Sequence, residues 1–276
     1  MSTLCKIDTY THIVNKDIFN QYNATPFCSE YAIIMEFSPY FATADMEDDS
    51  WKVCGHSKRL FLCPSIDIEK DIPEQLQILS KKLRIRPECH IIGLIIYLTG
   101  SNDNIADEKV LPVYDFAQKH NLSIVFHTGL PSAHQGNAES AGTSCISDIC
   151  KLAATYPTVN FIVAQMDYPR FAKCLQLIHK IPNIFTCFNG VFTLDKRITK
   201  SSDAIFRVLS LAIMQYGDIY KQMLYGTSFC PPYHATEIAK YDAGIETLFT
   251  HDQVQEIYWD NALRAFPKLT KFLLFT

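Results

Sequence analysis

The sequence lacks any apolar run that approaches the roughly 20 residues needed to cross a bilayer. Its longest apolar stretch, residues 90–98, is short and is typical of a buried strand. The first residues show neither the basic start nor the long apolar region of a signal peptide. We therefore expect a cytoplasmic protein that has no membrane partner.

Clustered positive charge and paired cysteines are also scarce. The 25 Lys and Arg residues against 29 Asp and Glu give a net charge of −4, which argues against a nucleic-acid partner. The one basic cluster, residues 81–86, lies at the end of a predicted helix and complements the negative helix terminus. The ten cysteines show no paired spacing, which indicates a reduced, cytoplasmic protein.

Apolar residues are abundant enough for a large core. Of the 276 residues, 48% are hydrophobic and 20% are charged, and a barrel of alternating strands and helices usually takes about 250 residues. No linker or low-complexity tract divides the sequence. We expect one domain over residues 1–276.

Short apolar segments alternate with helical segments along the chain. The eight predicted strands are residues 6–10, 31–37, 59–64, 91–98, 122–127, 160–165, 183–188 and 222–228. This alternation predicts an α/β protein with a (β/α)8 TIM barrel. An open, doubly wound sheet gives the same local signals. Such a sheet would require a glycine-rich, phosphate-binding turn after the first strand, and residues 8–12 contain no glycine.

Helix signals support the alternation. Asp71 and Pro73 open one predicted helix, and Thr250 and Gln253 form a capping box for another near the C-terminus. Further helices are predicted at residues 110–121, 146–154, 169–180 and 201–216. The apolar residues 269–275 are expected to dock on the barrel, and exposed apolar residues nearby are compatible with a homodimer.

Polar side chains stand at the ends of the predicted strands. If the first strand alternates regularly, Asp8, Tyr10 and His12 leave the backbone on the same side. Barrel enzymes work at the carboxyl ends of their strands, so these positions should meet at one mouth. The residues at or just past the strand ends are His12, Glu36, Tyr97, His127, Gln165, Asn189 and Ser228, with Cys230 beyond.

Five segments resemble the amidohydrolase superfamily, in particular its amidohydrolase-related branch. They read IDTYTH (7–12), IVFHTG (124–129), FIVAQM (161–166), MLYGTS (223–228) and IYWDNA (257–262), in the family's order and spacing. The resemblance implies a metal-dependent hydrolase, lactonase or aromatic-acid decarboxylase. It runs from the first strand to the last helix.

The resemblance also implies that the metal site has lost ligands. The family's paired first-strand histidines correspond to Tyr10 and His12, and its strand-five histidine is His127. Gln165 stands where the strand-six histidine is expected, and Ser228 where the strand-eight aspartate is expected. Since a catalytic zinc usually has three protein ligands, His12 and His127 alone predict no metal or a weakly bound divalent metal, with zinc favoured.

Three arrangements could restore chemistry to such a site. Cys230 could supply a thiolate to zinc beside His12 and His127, although cysteine is more often a small buried hydrophobe. Glu36 or Asp167 could supply a displaced carboxylate, although a salt bridge or an exposed loop is a commoner fate. His12 and His127 could also act as a metal-free acid–base pair, although two histidines that are simply hydrogen-bonded to their neighbours are the commoner arrangement.

Two functional hypotheses follow. In the first, the protein is a hydrolase or decarboxylase of a small carboxylate or cyclic substrate. His12 and His127 then act as ligands or acid–base groups, and the substrate is bound by Tyr10, Gln165, Ser228, Glu36, Tyr97 and Asn189. In the second, it is a non-catalytic barrel that binds a small molecule or a protein partner; fold alone does not choose between them.

The metal hypothesis is testable by elemental analysis of protein purified without chelator. The wild-type chain is expected to carry far less than one zinc or manganese per chain. The triple variant Tyr10→His, Gln165→His and Ser228→Asp is expected to bind metal, because it restores the family's ligand types. A wild-type protein with one firmly bound metal, or a folded triple variant with none, would contradict the ligand assignment.

Overall fold

The computed structural model describes residues 4–25, 29–37, 49–98, 104–128, 145–167, 170–188, 202–229 and 235–273, with the backbone alone at 202–206 and 235–241. The strands are β1 (Ile7–Thr11), β2 (Tyr31–Met35), β3 (Leu60–Cys63), β4 (Ser65–Ile66), β5 (Gly93–Tyr97), β6 (Ser123–His127), β7 (Phe161–Val163), β8 (Ile184–Cys187) and β9 (Met223–Leu224). All their pairings are parallel.

The strands form two sheets that backbone hydrogen bonds join into a ring. The sheets have the orders β1-β2-β3 and β4-β5-β6-β7-β8-β9, and β3 and β4 are one strand position interrupted at Pro64. At one seam the Leu62 carbonyl accepts from the Ile92 amide at 3.1 Å, and at the other the His12 amide donates to the Phe229 carbonyl at 2.8 Å. The predicted (β/α)8 TIM barrel is confirmed.

Helices separate the strands in the predicted order. They are α1 (Lys16–Ala24), α2 (Ser50–Gly55), α3 (Ile72–Ile85), α4 (Leu111–His120), α5 (Ile146–Thr155), α6 (Phe171–Ile178), α7 (Ser202–Tyr216), α8 (Ala235–Leu248), α9 (His251–Gln255), α10 (Asn261–Ala265) and α11 (Pro267–Leu273), with a π-helical turn between α9 and α10. Asp71 caps α3, and Thr250 and Gln253 form the predicted capping box. Helices α1, α2, α8 and α11 were not predicted; in α1 only Tyr22 is fully buried, so its apolar pattern is weak.

The predicted sixth and eighth strands end earlier than expected, and left-handed residues lie beyond both ends. The sixth stops at Val163 because Gln165, Met166 and Asp167 adopt left-handed backbone angles, with φ of 57°, 50° and 53°. The last is paired only over Met223–Leu224, and Ser228 beyond it also has a positive φ of 53°. Left-handed angles cannot continue a strand.

The core has one layer inside the ring and another between the ring and the helices. Alternate strand residues fill the two layers, so that Ile33 and Met35 lie inside while Ile34 lies outside. Phe266 and Leu269 of the C-terminal helices are fully buried in the inner layer. This confirms the predicted docking for Leu269; residues 274 and 275 lie outside the described part. None of the described helices is long and apolar enough to span a membrane.

A buried carboxylate lies at the seam between β1 and the last strand. Asp8 accepts hydrogen bonds from the Thr227 amide at 2.9 Å, the Thr227 hydroxyl at 2.6 Å and the Tyr22 hydroxyl at 3.1 Å. The pairing of β1 with β2 shifts register between Asp8 and Thr11. The regular alternation expected from Asp8 to His12 is therefore wrong. Asp8 instead links β1 to α1 and to the segment that follows β9.

The Asp8 carboxylate should make stability depend on pH. Burial raises its pKa to about 6 from 3.8, so the folded state binds this proton more tightly than the unfolded state. The contribution of Asp8 to stability is then full at low pH and is lost as pH rises through about 6. Relative to Asp8→Asn, which does not titrate, the wild type should lose about 2.5 kcal/mol of unfolding free energy between pH 4 and pH 7.5.

Urea unfolding of both proteins over that pH range measures the difference. Asp17→Asn, an exposed carboxylate on α1, is the matched control and should parallel the wild type. Parallel profiles for the wild type and Asp8→Asn would contradict the assignment.

Candidate active site at the barrel mouth

Strands β1 and β6 bring three of the predicted residues together. His12 directly follows β1, Tyr10 lies within β1, and His127 ends β6. The Tyr10 hydroxyl is 2.6 Å from His127 Nδ1, and the Tyr10 and His12 rings meet edge to face with centroids 5.2 Å apart. The structure thus places Tyr10, His12 and His127 in one cluster.

His12 has a defined proton position. Its Nδ1 lies 3.1 Å from the Met35 carbonyl, and a carbonyl oxygen only accepts, so Nδ1 carries the hydrogen and donates it. The lone pair of the ring is therefore on Nε2. Phe37 stacks on the imidazole with centroids 4.3 Å apart and fixes its plane.

The Tyr10 hydroxyl is hydrogen-bonded to one ring nitrogen of His127, Nδ1. Whether the phenol donates to Nδ1 or an Nδ1 hydrogen is donated to the phenol oxygen, that nitrogen is used within the protein. The Tyr97 ring packs beside the same imidazole at 5.1 Å.

Burial keeps all three groups neutral near pH 7. Loss of hydration lowers the pKa of His12 to about 4, and the same loss, with a smaller effect from nearby His12, lowers the pKa of His127 to about 3. Burial also raises the pKa of Tyr10 well above 10. The cluster therefore presents a protonated phenol and two uncharged imidazoles.

Glu36 and Tyr97 form the wall next to this cluster. The Glu36 carboxylate accepts from Trp51 Nε1 at 2.5 Å and from the Ser65 amide at 2.9 Å. Tyr97 donates its hydroxyl hydrogen to the Glu36 carbonyl at 2.9 Å. These bonds link the ends of β2, β4 and β5, and they hold the Glu36 carboxylate within the wall.

Beyond the ends of β7 and β9 lie Gln165, Asp167 and Ser228. Gln165 is 3% exposed, within the left-handed turn after β7. The Ser228 amide donates to the Tyr10 carbonyl at 2.9 Å. Asp167, considered as a displaced ligand, forms an ion pair with Arg170 at 3.1 Å, which is the salt-bridge alternative. Asn189 and Cys230 lie outside the described residues.

The chemistry of the donors does not fit a firmly held divalent metal. At the ligand positions that the resemblance implies, Tyr10 is a protonated phenol bonded to His127, and Gln165 and Ser228 carry no charge. Within the described ranges, no group of three or more His, Cys, Asp or Glu side chains is placed to hold a metal. A catalytic zinc usually takes three such ligands.

Some contacts at the site were not predicted. Phe37 lies two residues past β2, and its position next to Glu36 was the only sequence signal. Inside the ring, Cys187 Sγ is 3.5 Å from the Thr9 hydroxyl. Burial raises the pKa of the Cys63 thiol well above its ordinary value, so Cys63 is a protonated core residue.

The chain is similar in fold to several solved structures, and a family model matches its sequence. No curated protein sequence matches the chain significantly. A zinc-bound amidohydrolase from Burkholderia multivorans is similar at 12% identity and TM-score 0.66, over 95% of this chain and 99% of that one. A 2,6-dihydroxybenzoate decarboxylase from Rhizobium is similar at 12% identity and TM-score 0.61, over 96% and 99%.

A third similar structure and a family model agree with these two. A probable 2-pyrone-4,6-dicarboxylic acid hydrolase from Acinetobacter baumannii is similar at 12% identity and TM-score 0.61, over 95% of this chain and 99% of that one. The sequence model described as "Amidohydrolase" matches residues 54–268, which is well over half of the chain. The protein therefore belongs to the amidohydrolase family.

Proposed function

We propose that this protein is a hydrolase or decarboxylase that acts on a small carboxylate or cyclic substrate at the barrel mouth without a firmly bound metal. The general kind of activity follows the family. The observation that carries the metal-free part is the 2.6 Å bond between the Tyr10 hydroxyl and His127 Nδ1. This bond uses a histidine nitrogen and joins it to a residue that stays protonated.

The residues of the cluster would divide the work between binding and proton transfer. When His127 donates its Nδ1 hydrogen to the phenol oxygen, the phenol keeps its own hydrogen for a carboxylate or carbonyl oxygen, which supports Tyr10 as the group that orients the substrate. His12 Nε2 carries a lone pair, and Nδ1 is anchored on the Met35 carbonyl. An imidazole oriented in this way can accept a proton from water or return one to carbon.

A charged group of the substrate should be tolerated only when donors at the mouth hydrogen-bond to it. The described cluster has no cation to neutralise a carboxylate, and both imidazoles are uncharged near pH 7. Desolvating an anion is costly without such a partner. We therefore expect the substrate's carboxylate to be held by neutral donors, or the substrate to be an uncharged ring such as a lactone.

One observation favours the second candidate, a non-catalytic binding barrel. Burial lowers the pKa of both imidazoles far below neutrality, whereas a general base works best with a pKa near the operating pH. In this reading the Tyr10–His127 pair is a rigid part of a ligand pocket.

A panel of aromatic carboxylates and pyrone or lactone carboxylates tests the proposal. Carbon NMR detects released bicarbonate or the opened ring, with and without EDTA. Turnover is expected to survive EDTA and to fall at least 100-fold in His12→Gln, because that change removes the lone pair on Nε2. Tyr10→Phe should raise KM more than it lowers kcat, because the phenol orients the substrate.

Tyr216→Phe on α7, remote from the mouth, is the control and should leave both constants unchanged. Activity that disappears with EDTA and returns with zinc would overturn the metal-free part. Binding of a panel compound without any turnover by the wild type would favour the binding barrel.

A further inference from the structure

A cleft of about 450 Å³ lies at the opposite end of the barrel from the mouth. Among its lining residues, Asn160 directly precedes β7 and Gln222 directly precedes β9. The cleft therefore lies at the amino ends of the strands, whereas His12 and His127 lie at the carboxyl ends. It shares no lining residue with the cluster at the mouth.

The cleft concentrates positive charge in a negatively charged protein. Lys180, Lys221 and Arg264 line it together with one carboxylate, Asp218, while the whole chain has a net charge of −4. Neither lysine ammonium group forms an ion pair with the described residues. Cations that are not neutralised locally attract anions from solution.

Arg264 is already fixed in position. Its Nη2 donates to the Lys221 carbonyl and to Glu256 Oε2, each at 3.2 Å, and also to Asn261 Oδ1. Within the described part of the chain, Nε and Nη1 make no hydrogen bond, so they are available to a ligand. A guanidinium held in this way loses little side-chain entropy when it binds an oxyanion.

The base of the cleft is rigid as well. Gln222 Nε2 lies 3.0, 2.8 and 2.7 Å from the carbonyl oxygens of Ile178, Ile181 and Ile184. The three carbonyl groups between the end of α6 and the start of β8 thus have a donor other than the lysines. Pro182 and Phe185 add an apolar part to the lining, which suits the body of an organic ligand.

We propose that this cleft binds a small phosphorylated organic molecule. Its phosphate meets Lys180, Lys221 and Arg264, and its apolar body lies against Pro182 and Phe185. A phosphate dianion takes hydrogen bonds and charge from several cations at once, whereas a carboxylate has fewer oxygens and one charge. The volume of the cleft exceeds what inorganic phosphate fills.

Isothermal titration calorimetry with phenyl phosphate tests this proposal on the full chain. Phenyl phosphate should bind at least fivefold more tightly than inorganic phosphate or benzoate. The double variant Lys180→Gln and Lys221→Gln should weaken that binding at least tenfold, and higher salt should weaken wild-type binding. The exposed Lys173 on α6 provides the matched control, and Lys173→Gln should change the affinity less than twofold.

Circular dichroism melts confirm that each variant is folded. The proposal is overturned if phenyl phosphate does not bind, if the folded double variant binds it as tightly as the wild type, or if benzoate binds equally well. A matching loss of binding in Tyr10→Phe would place the ligand at the mouth and would also overturn it.

Discussion

The geometry of the mouth depends on the seam where the first strand meets the last. The Asp8 carboxylate accepts three hydrogen bonds there from Thr227 and Tyr22, and Tyr10 and Ser228 are joined by a backbone bond two residues later. A buried carboxylate is stabilised only if donors surround it. The same seam holds the backbone of Tyr10 and His12 through bonds to Ser228 and Phe229, and so helps to position their rings relative to His127.

The seam shows why part of the fold was predictable from sequence. The strands were visible because buried strands are continuous apolar runs, and parallel pairing follows from the helices between them. The register shift after Asp8 left no such trace, and neither did the bond of Asp8 to Thr227, which is more than two hundred residues away in sequence. Helix α1 was not predicted for another reason: Tyr22 is its main contact with the core, so the sequence shows little helical periodicity there.

The site was predictable as a set of positions and not as a set of contacts. Residues at the ends of neighbouring parallel strands must converge, so the meeting of Tyr10, His12 and His127 follows from the fold. Which partner each side chain takes depends on distances of a few tenths of an ångström, and the bonds of Glu36 to Trp51 and Ser65 left no pattern in the sequence. Burial then fixes the charge states, because the same ring closure that gathers these groups removes their water.

The turn after β7 carries an energetic consequence for the rim of the barrel. Three successive residues other than glycine hold left-handed angles there, and each costs on the order of 1 kcal/mol or more. The ion pair between Arg170 and Asp167 helps to offset this backbone strain, so this turn has little freedom to change its conformation. Changes in ligand preference during evolution should therefore arise on other sides of the rim, while this corner stays a fixed reference point.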